Sequence, residues 1–455
     1  MNRISSGRAL RARMAKLCLY AATGALIAAG AASAQEKTSL TIAMAANPQM
    51  QVAERLIGEF YKTNPDIQVN FQILPENQLR PTVLRDVATK SGQFDVVMIG
   101  AYEVPLWAQK GWIVNLSEKY VPSATDWKLD DLNKPILDLI SKDGSLYATP
   151  FYGSSSFMFY RKDLFQAAGL TMPEHPTWDQ VAEFAAKLDD DAKGVSGICL
   201  RGVPGWGQNL APLTTVINTF GGRWFDENWQ PQLTSPKTKA AIEFYVDLIR
   251  EHGQQDAATA GWQECLQLFS QGRTAMWYDD TVFAGPVLDQ SSAELKPNVG
   301  FALAPKKETE YSGWLWAWGL AIPETSQHQD AAWKFISWVT SPEYIALAGK
   351  EAGWDQIPPG SRKSTYAIPE YQAAAKDYAD LTLKSIEEAN PQKPTVDPVP
   401  YTGVQYVSIP EFEQIGDFVS QQISGAISGQ QTVDEALKTS EDQIRQIMTD
   451  AGYIK

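Results

Sequence analysis

The chain has 455 residues, of which 39 are basic and 53 acidic, with three cysteines and three histidines. A net charge of −14 argues against nucleic acid or an anionic lipid surface as partner. Three cysteines do not make a disulfide scaffold, and His175, His252 and His328 lie too far apart, without ligand spacing, for zinc chemistry.

Residues 1–34 read as a secretory signal peptide: Arg3, Arg8, Arg11, Arg13 and Lys16 precede a short apolar run that ends in the small-residue site Ala32-Ser33-Ala34. The run is shorter than the roughly 20 residues a membrane span needs. Cys18 starts the run instead of marking a cleavage point, and Arg11 and Arg13 are not consecutive, so neither a lipoprotein nor a twin-arginine signal is indicated. Cleavage would leave 34 basic against 53 acidic residues, a balance of −19, on a chain long enough for two domains. Cys199 and Cys265 would survive export, which permits a disulfide; two buried free thiols fit equally well.

Beyond the leader, apolar periodicity predicts an extended segment at 40–45, a helix at 50–61, a strand at 67–74, a helix at 78–90 and a strand at 94–99. A second series follows, with strands at 156–160, 197–200 and 274–278 and helices at 178–188 and 237–251. Such alternation implies two α/β lobes, each with a mainly parallel sheet under helices. Residues 148–150, 313–323 and 353–361 look like crossings between lobes, and several crossings make a hinge. The division expected is 35–149 plus 314–358 for one lobe and 150–313 plus 359–455 for the other. Helices at 409–427 and 433–447 fill the C-terminal third, after a Pro-rich connector at 390–400.

The crossing at 313–323 carries the densest signal, Gly313-Trp-Leu-Trp-Ala-Trp-Gly319. If it is extended, Trp314, Trp316 and Trp318 share one face. Indole faces suit the C–H side of a carbohydrate or polyol and leave its hydroxyls free for polar partners. The bland alternative is that they line a core.

Six further patterns follow one another along the chain: Phe94-Asp95-Val-Val-Met98; Trp107-Ala-Gln-Lys-Gly111; Asp143-Gly-Ser-Leu-Tyr-Ala-Thr-Pro150; Tyr160-Arg-Lys-Asp-Leu-Phe165; Pro176-Thr-Trp-Asp179; and Phe269-Ser-Gln-Gly-Arg-Thr-Ala-Met276. Together they resemble the extracellular solute-binding proteins, family 1, of ABC importers, the group containing maltose-binding protein. With Ala101-Tyr-Glu103 and the 313–319 strand, the sequence looks like the branch that binds sugar alcohols such as sorbitol and mannitol. The resemblance implies the periplasmic binding protein type II fold, two α/β lobes with a multi-strand hinge and a ligand cleft between them. It also implies a monomeric periplasmic receptor that takes no cofactor and delivers a polyol or small sugar to the transmembrane subunits of a permease.

Ligands of open α/β sheets sit beyond the carboxyl ends of the strands. Asn47, Tyr102, Glu103, Asp279 and Asp280 occupy such places, and neighbouring residues on a strand face opposite ways, so one of Asp279 and Asp280 is expected to enter the cleft. Either could instead cap a helix over 282–288. A carboxylate can accept two hydroxyl protons of an uncharged polyol. Tyr152 lies next to a crossing, and Trp206, Trp262, Trp277, Trp314, Trp316 and Trp354 are stacking candidates. Gly205-Trp-Gly207 lacks the rest of a dinucleotide fingerprint; its glycines suit a loop that brings Trp206 close to the cleft. Asp189-Asp190-Asp191 lacks the alternate-position spacing of a calcium loop. The competing readings are a secreted glycoside hydrolase using paired carboxylates and a sensory sugar-binding module.

Overall fold

The computed structural model describes residues 37–455 apart from Ser312; the leader expected over 1–34 lies outside the described residues. Strands β1 (Thr38–Ala45), β2 (Ile67–Leu74) and β3 (Val96–Gly100) pair in parallel in the order β2-β1-β3. β3 is buried along its whole length, as its uninterrupted apolar run requires of a strand covered on both faces. Between them run the helices Pro48–Arg55, Ile57–Thr63 and Glu76–Thr89. The one helix expected over 50–61 is therefore two, interrupted at Leu56, with Gly58, a poor helix former, just past the break.

Asp143 and Gly144, both with positive φ, turn the short hairpin of β4 (Ser141–Lys142) and β5 (Ser145–Leu146). β6 (Thr149–Ser154) and β10 (Trp316–Ala321) complete the first sheet in the order β2-β1-β3-β10-β6, with β10 antiparallel to both neighbours. After Ser155 the chain enters a second sheet of β7 (Ser156–Arg161), β8 (Met276–Asp280) and β9 (Val299–Leu303), ordered β8-β7-β9. This sheet is antiparallel throughout, not mainly parallel as expected. Strand and helix alternation reports the layers; strand direction depends on which strands pair, which periodicity does not encode. Residues 197–200 likewise form no strand of their own but touch the sheet through isolated parallel bridges, Ser196 to Thr274 and Cys199 to Trp277.

The expected helices at 178–188 and 237–251 are present as Trp178–Leu188 and Pro236–His252, the former with a Thr177–Gln180 capping box. The C-terminal helices are Phe412–Ile427 and Val433–Asp450. Among the described residues no helix is long and apolar enough to cross a membrane. The two thiols are joined: Cys199, beside β8, is bonded to Cys265 on the helix Trp262–Ser270, with their Cα atoms 5.6 Å apart.

Candidate ligand-binding cleft

A cavity of about 640 Å³, counted with its open mouth, lies where the two sheets meet. The carboxyl end of β1 contributes Ala45, Ala46 and Asn47, the turn after β2 contributes Glu76, and the end of β8 contributes Asp280. Asn47 caps the first helix by accepting from the Met50 N–H at 3.1 Å, which aims its amide at the Tyr152 hydroxyl 3.3 Å away. Burial, then the carboxyls of Asp280 and Glu76, hold the Tyr152 phenol well above its ordinary pKa, so it remains a neutral hydroxyl.

Trp314, Trp316 and Trp318 all line the cavity. Regular pairing begins only at Trp316, yet alternation carries back to Trp314. The Trp316 ring lies on the backbone of Gly100, where a Cβ would overlap it. Trp206 meets Trp316 edge to face, with centroids 6.1 Å apart. Its loop comes close for the reason the glycines suggested: a Cβ at Gly207 would overlap Glu76 Oε1. On the opposite wall Trp262 stacks on Phe283 at 4.9 Å and an 18° interplanar angle. Seven of the expected residues thus meet here: Asn47, Tyr152, Trp206, Trp262, Asp280, Trp314 and Trp316.

Five do not line the cavity. Tyr102 lies behind Trp206, with ring centroids 5.0 Å apart, and its hydroxyl donates to the Ile409 carbonyl at 3.0 Å. Glu103 accepts from the Gly100 N–H at 2.9 Å and pairs with Arg80. Trp277 is packed between Phe159 and Phe283 and donates to Asp279 at 3.0 Å. Asp279 is fully buried against Arg201 and turns away from its neighbour, as strand alternation demands. Trp354 packs over Gly349 of the helix Pro342–Ala352, where a Cβ would overlap its ring.

Two of the excluded carboxylates hold in place the groups that sequence reasoning missed. Arg80, on the helix after β2, donates through Nε and an Nη to Glu76 Oε1 at 3.0 and 2.8 Å and through its other Nη to Glu103. Its guanidinium carbon lies 4.2, 4.7 and 5.5 Å from the ring centroids of Trp206, Trp318 and Trp316. Arg201 donates from Nε to Asp279 at 2.8 Å, from one Nη to the same carboxylate and from the other to the Gly207 carbonyl at 3.0 Å. Burial alone would lower both guanidinium pKa values, but the paired carboxylates outweigh it and both stay charged. Gln405, from a loop after the Pro-rich connector, and Phe283 complete the polar and apolar edges.

Asp280 caps the turn Thr281–Phe283 by accepting from the Val282 N–H at 2.8 Å, and also accepts from the Ser154 hydroxyl at 2.8 Å, so capping and cleft lining coincide in one residue. Burial pushes its carboxyl up to about 7, against the pull of these two donors. The Trp206 and Trp314 Nε1 donors and the Gln405 Oε1 acceptor are buried without a hydrogen-bond partner among the described residues. Unmet buried polar groups are uncommon and need an explanation.

Two sheets joined through β10 and β6, with a polar and aromatic cleft where they meet, define a two-lobed α/β binding protein. Residues 45–346 match the bacterial extracellular solute-binding proteins, and the chain belongs to that family. It is 44% identical to a mannitol-binding protein of Pseudomonas aeruginosa over 97% of this chain and 99% of that one. An ABC transporter solute-binding protein of Agrobacterium vitis, solved with bound D-mannitol, is 48% identical, superposes with a TM-score of 0.89 and is matched over 92% of this chain and 100% of its own. A relative from Agrobacterium radiobacter, in complex with ribitol, is 26% identical with a TM-score of 0.81, over 91% and 99% of the two chains.

Proposed function

We propose that this chain captures a small uncharged polyol of the D-mannitol class in the periplasm and passes it, unaltered, to the transmembrane subunits of an ABC importer. The observation that carries the reading is the pairing of indole faces with fixed hydrogen-bonding groups in one cleft: Trp206, Trp262, Trp314 and Trp316 supply flat apolar area, while Asn47, Glu76, Arg80, Tyr152, Arg201 and Asp280 supply donors and acceptors. A polyol needs both, because its C–H skeleton loses water against the rings and each hydroxyl must regain a partner. The unpartnered Trp206, Trp314 and Gln405 atoms fit hydroxyls of such a ligand. D-mannitol and ribitol in the two similar structures are linear polyols of that kind.

The proposed lobes are 35–149 with 314–358 and 150–313 with 359–455, and the crossings at 148–150, 313–323 and 353–361 act as the hinge. Export through the leader at 1–34 and a monomeric state belong to the same reading, as does exclusion of nucleic acid by the chain's acidic balance. A thermal-shift screen of alditols, pentoses, hexoses and disaccharides tests it. A ligand bound only by the folded state raises the melting temperature; the expected hits are five- and six-carbon alditols. A screen in which only disaccharides stabilise the protein would overturn it.

A further inference from the structure

We infer that this cleft sorts ligands by charge, accepting an alditol and refusing the aldonate of the same carbon chain. The inference rests on the polyol reading above. Two arginines in one cavity would ordinarily favour an anion, since a guanidinium fork matches a carboxylate bidentately. Here the Nε–Nη edge of each, and one donor beyond it, is already taken. Arg80 turns its Nε and Nη edge to Glu76 and an Nη to Glu103, and Arg201 turns its Nε and Nη edge to Asp279. Each guanidinium has five N–H donors. Three on each are spent, on Glu76, Glu76 and Glu103 for Arg80 and on Asp279, Asp279 and Gly207 for Arg201, so two remain on each, one on either Nη, enough for hydroxyl oxygens.

The charge balance points the same way. Two carboxyl groups that line the cavity, Glu76 and Asp280, and two that pair with its arginines from behind, Glu103 and Asp279, stand against two guanidiniums, and among the described residues no lysine or histidine lines the cavity. The local sum is −2, or −1 with Asp280 protonated. A hydroxyl entering this field can accept from an arginine N–H and donate to a neighbouring carboxylate at once. A carboxylate can only accept, and it brings a like charge into a buried site.

Calorimetric titration of the mature chain at pH 8 with D-mannitol and with D-mannonate tests this, using wild type, Glu76→Gln and, as a second probe of the balance, Asp280→Asn. The expected result is that wild type binds mannonate at least about a hundredfold more weakly than mannitol, and that removing one negative charge narrows the gap at least about tenfold in one or both variants. Mannonate bound within tenfold of mannitol by wild type overturns the inference and leaves the polyol reading standing. So does a gap unchanged in both variants, which would make its cause shape instead of charge. Heat with neither ligand overturns the polyol reading and the inference with it.

Discussion

Asp280 shows how one side chain can serve the backbone and the cleft together. Its two oxygens cap a turn and accept from Ser154, and the same residue lines the cavity. Because burial raises its pKa to about 7 from an ordinary 3.8, the folded state holds the proton more tightly than the unfolded one. Its contribution to stability is therefore full below about pH 4 and is lost as pH rises through 7, a change on the order of a few kcal/mol. Wild type should lose more melting temperature than Asp280→Asn between pH 5 and pH 8; parallel curves would contradict this. Glu413, pushed up to about 7 by burial and then by Glu103, titrates in both proteins and cancels. At this scale the sequence was half legible. Strand alternation identified a pair of aspartates with one facing the cleft, and glycines flagged Trp206. Arg80 and Arg201 were not legible, because a single arginine in an amphipathic helix or a loop looks like a solvated charge until its carboxylate partner, 23 or 78 positions away, is brought beside it. Glu76 could have been found: it follows β2 as Asn47 follows β1.

Among the elements, β10 and the disulfide do most to shape the cleft. Alternating tryptophans on β10 and the residues just before it put three indoles, Trp314, Trp316 and Trp318, on one side, and their pattern was readable because the period of a strand is fixed. The Cys199–Cys265 bond ties the helix that presents Trp262 to the segment leading into Arg201, so it joins two walls of the cavity. Closing a loop of 66 residues is expected to contribute roughly 2–4 kcal/mol. Cys199→Ala with Cys265→Ala should move the urea midpoint down, with the free-energy loss read from each protein's own m-value, because the uncrosslinked denatured state exposes more surface. An unmoved midpoint would show that packing alone holds the two walls. Spacing could not decide this pairing, since it depends on the 196–199 segment lying beside β8 and next to the helix Trp262–Ser270.

For the molecule as a whole, alternation of strands and helices was enough to expect two α/β lobes, and the family patterns were enough to expect a cleft between them. The polarity of the second sheet was not, because an antiparallel β8-β7-β9 order is made by chain segments far apart, the last starting at Val299. Gln405 escaped for a related reason: it reaches the cavity from a loop with no periodicity, after donating to the Leu315 carbonyl at 3.0 Å. The central claim is that these rings and paired charges grip one uncharged polyol. Isothermal titration of wild type and Trp316→Ala with D-mannitol tests it most directly. The expected result is one site per chain in wild type and at least a tenfold loss, about 1.4 kcal/mol, in a variant whose melting curve still shows a folded protein at the titration temperature. Equal affinity in the two proteins, or no heat in wild type, would contradict it.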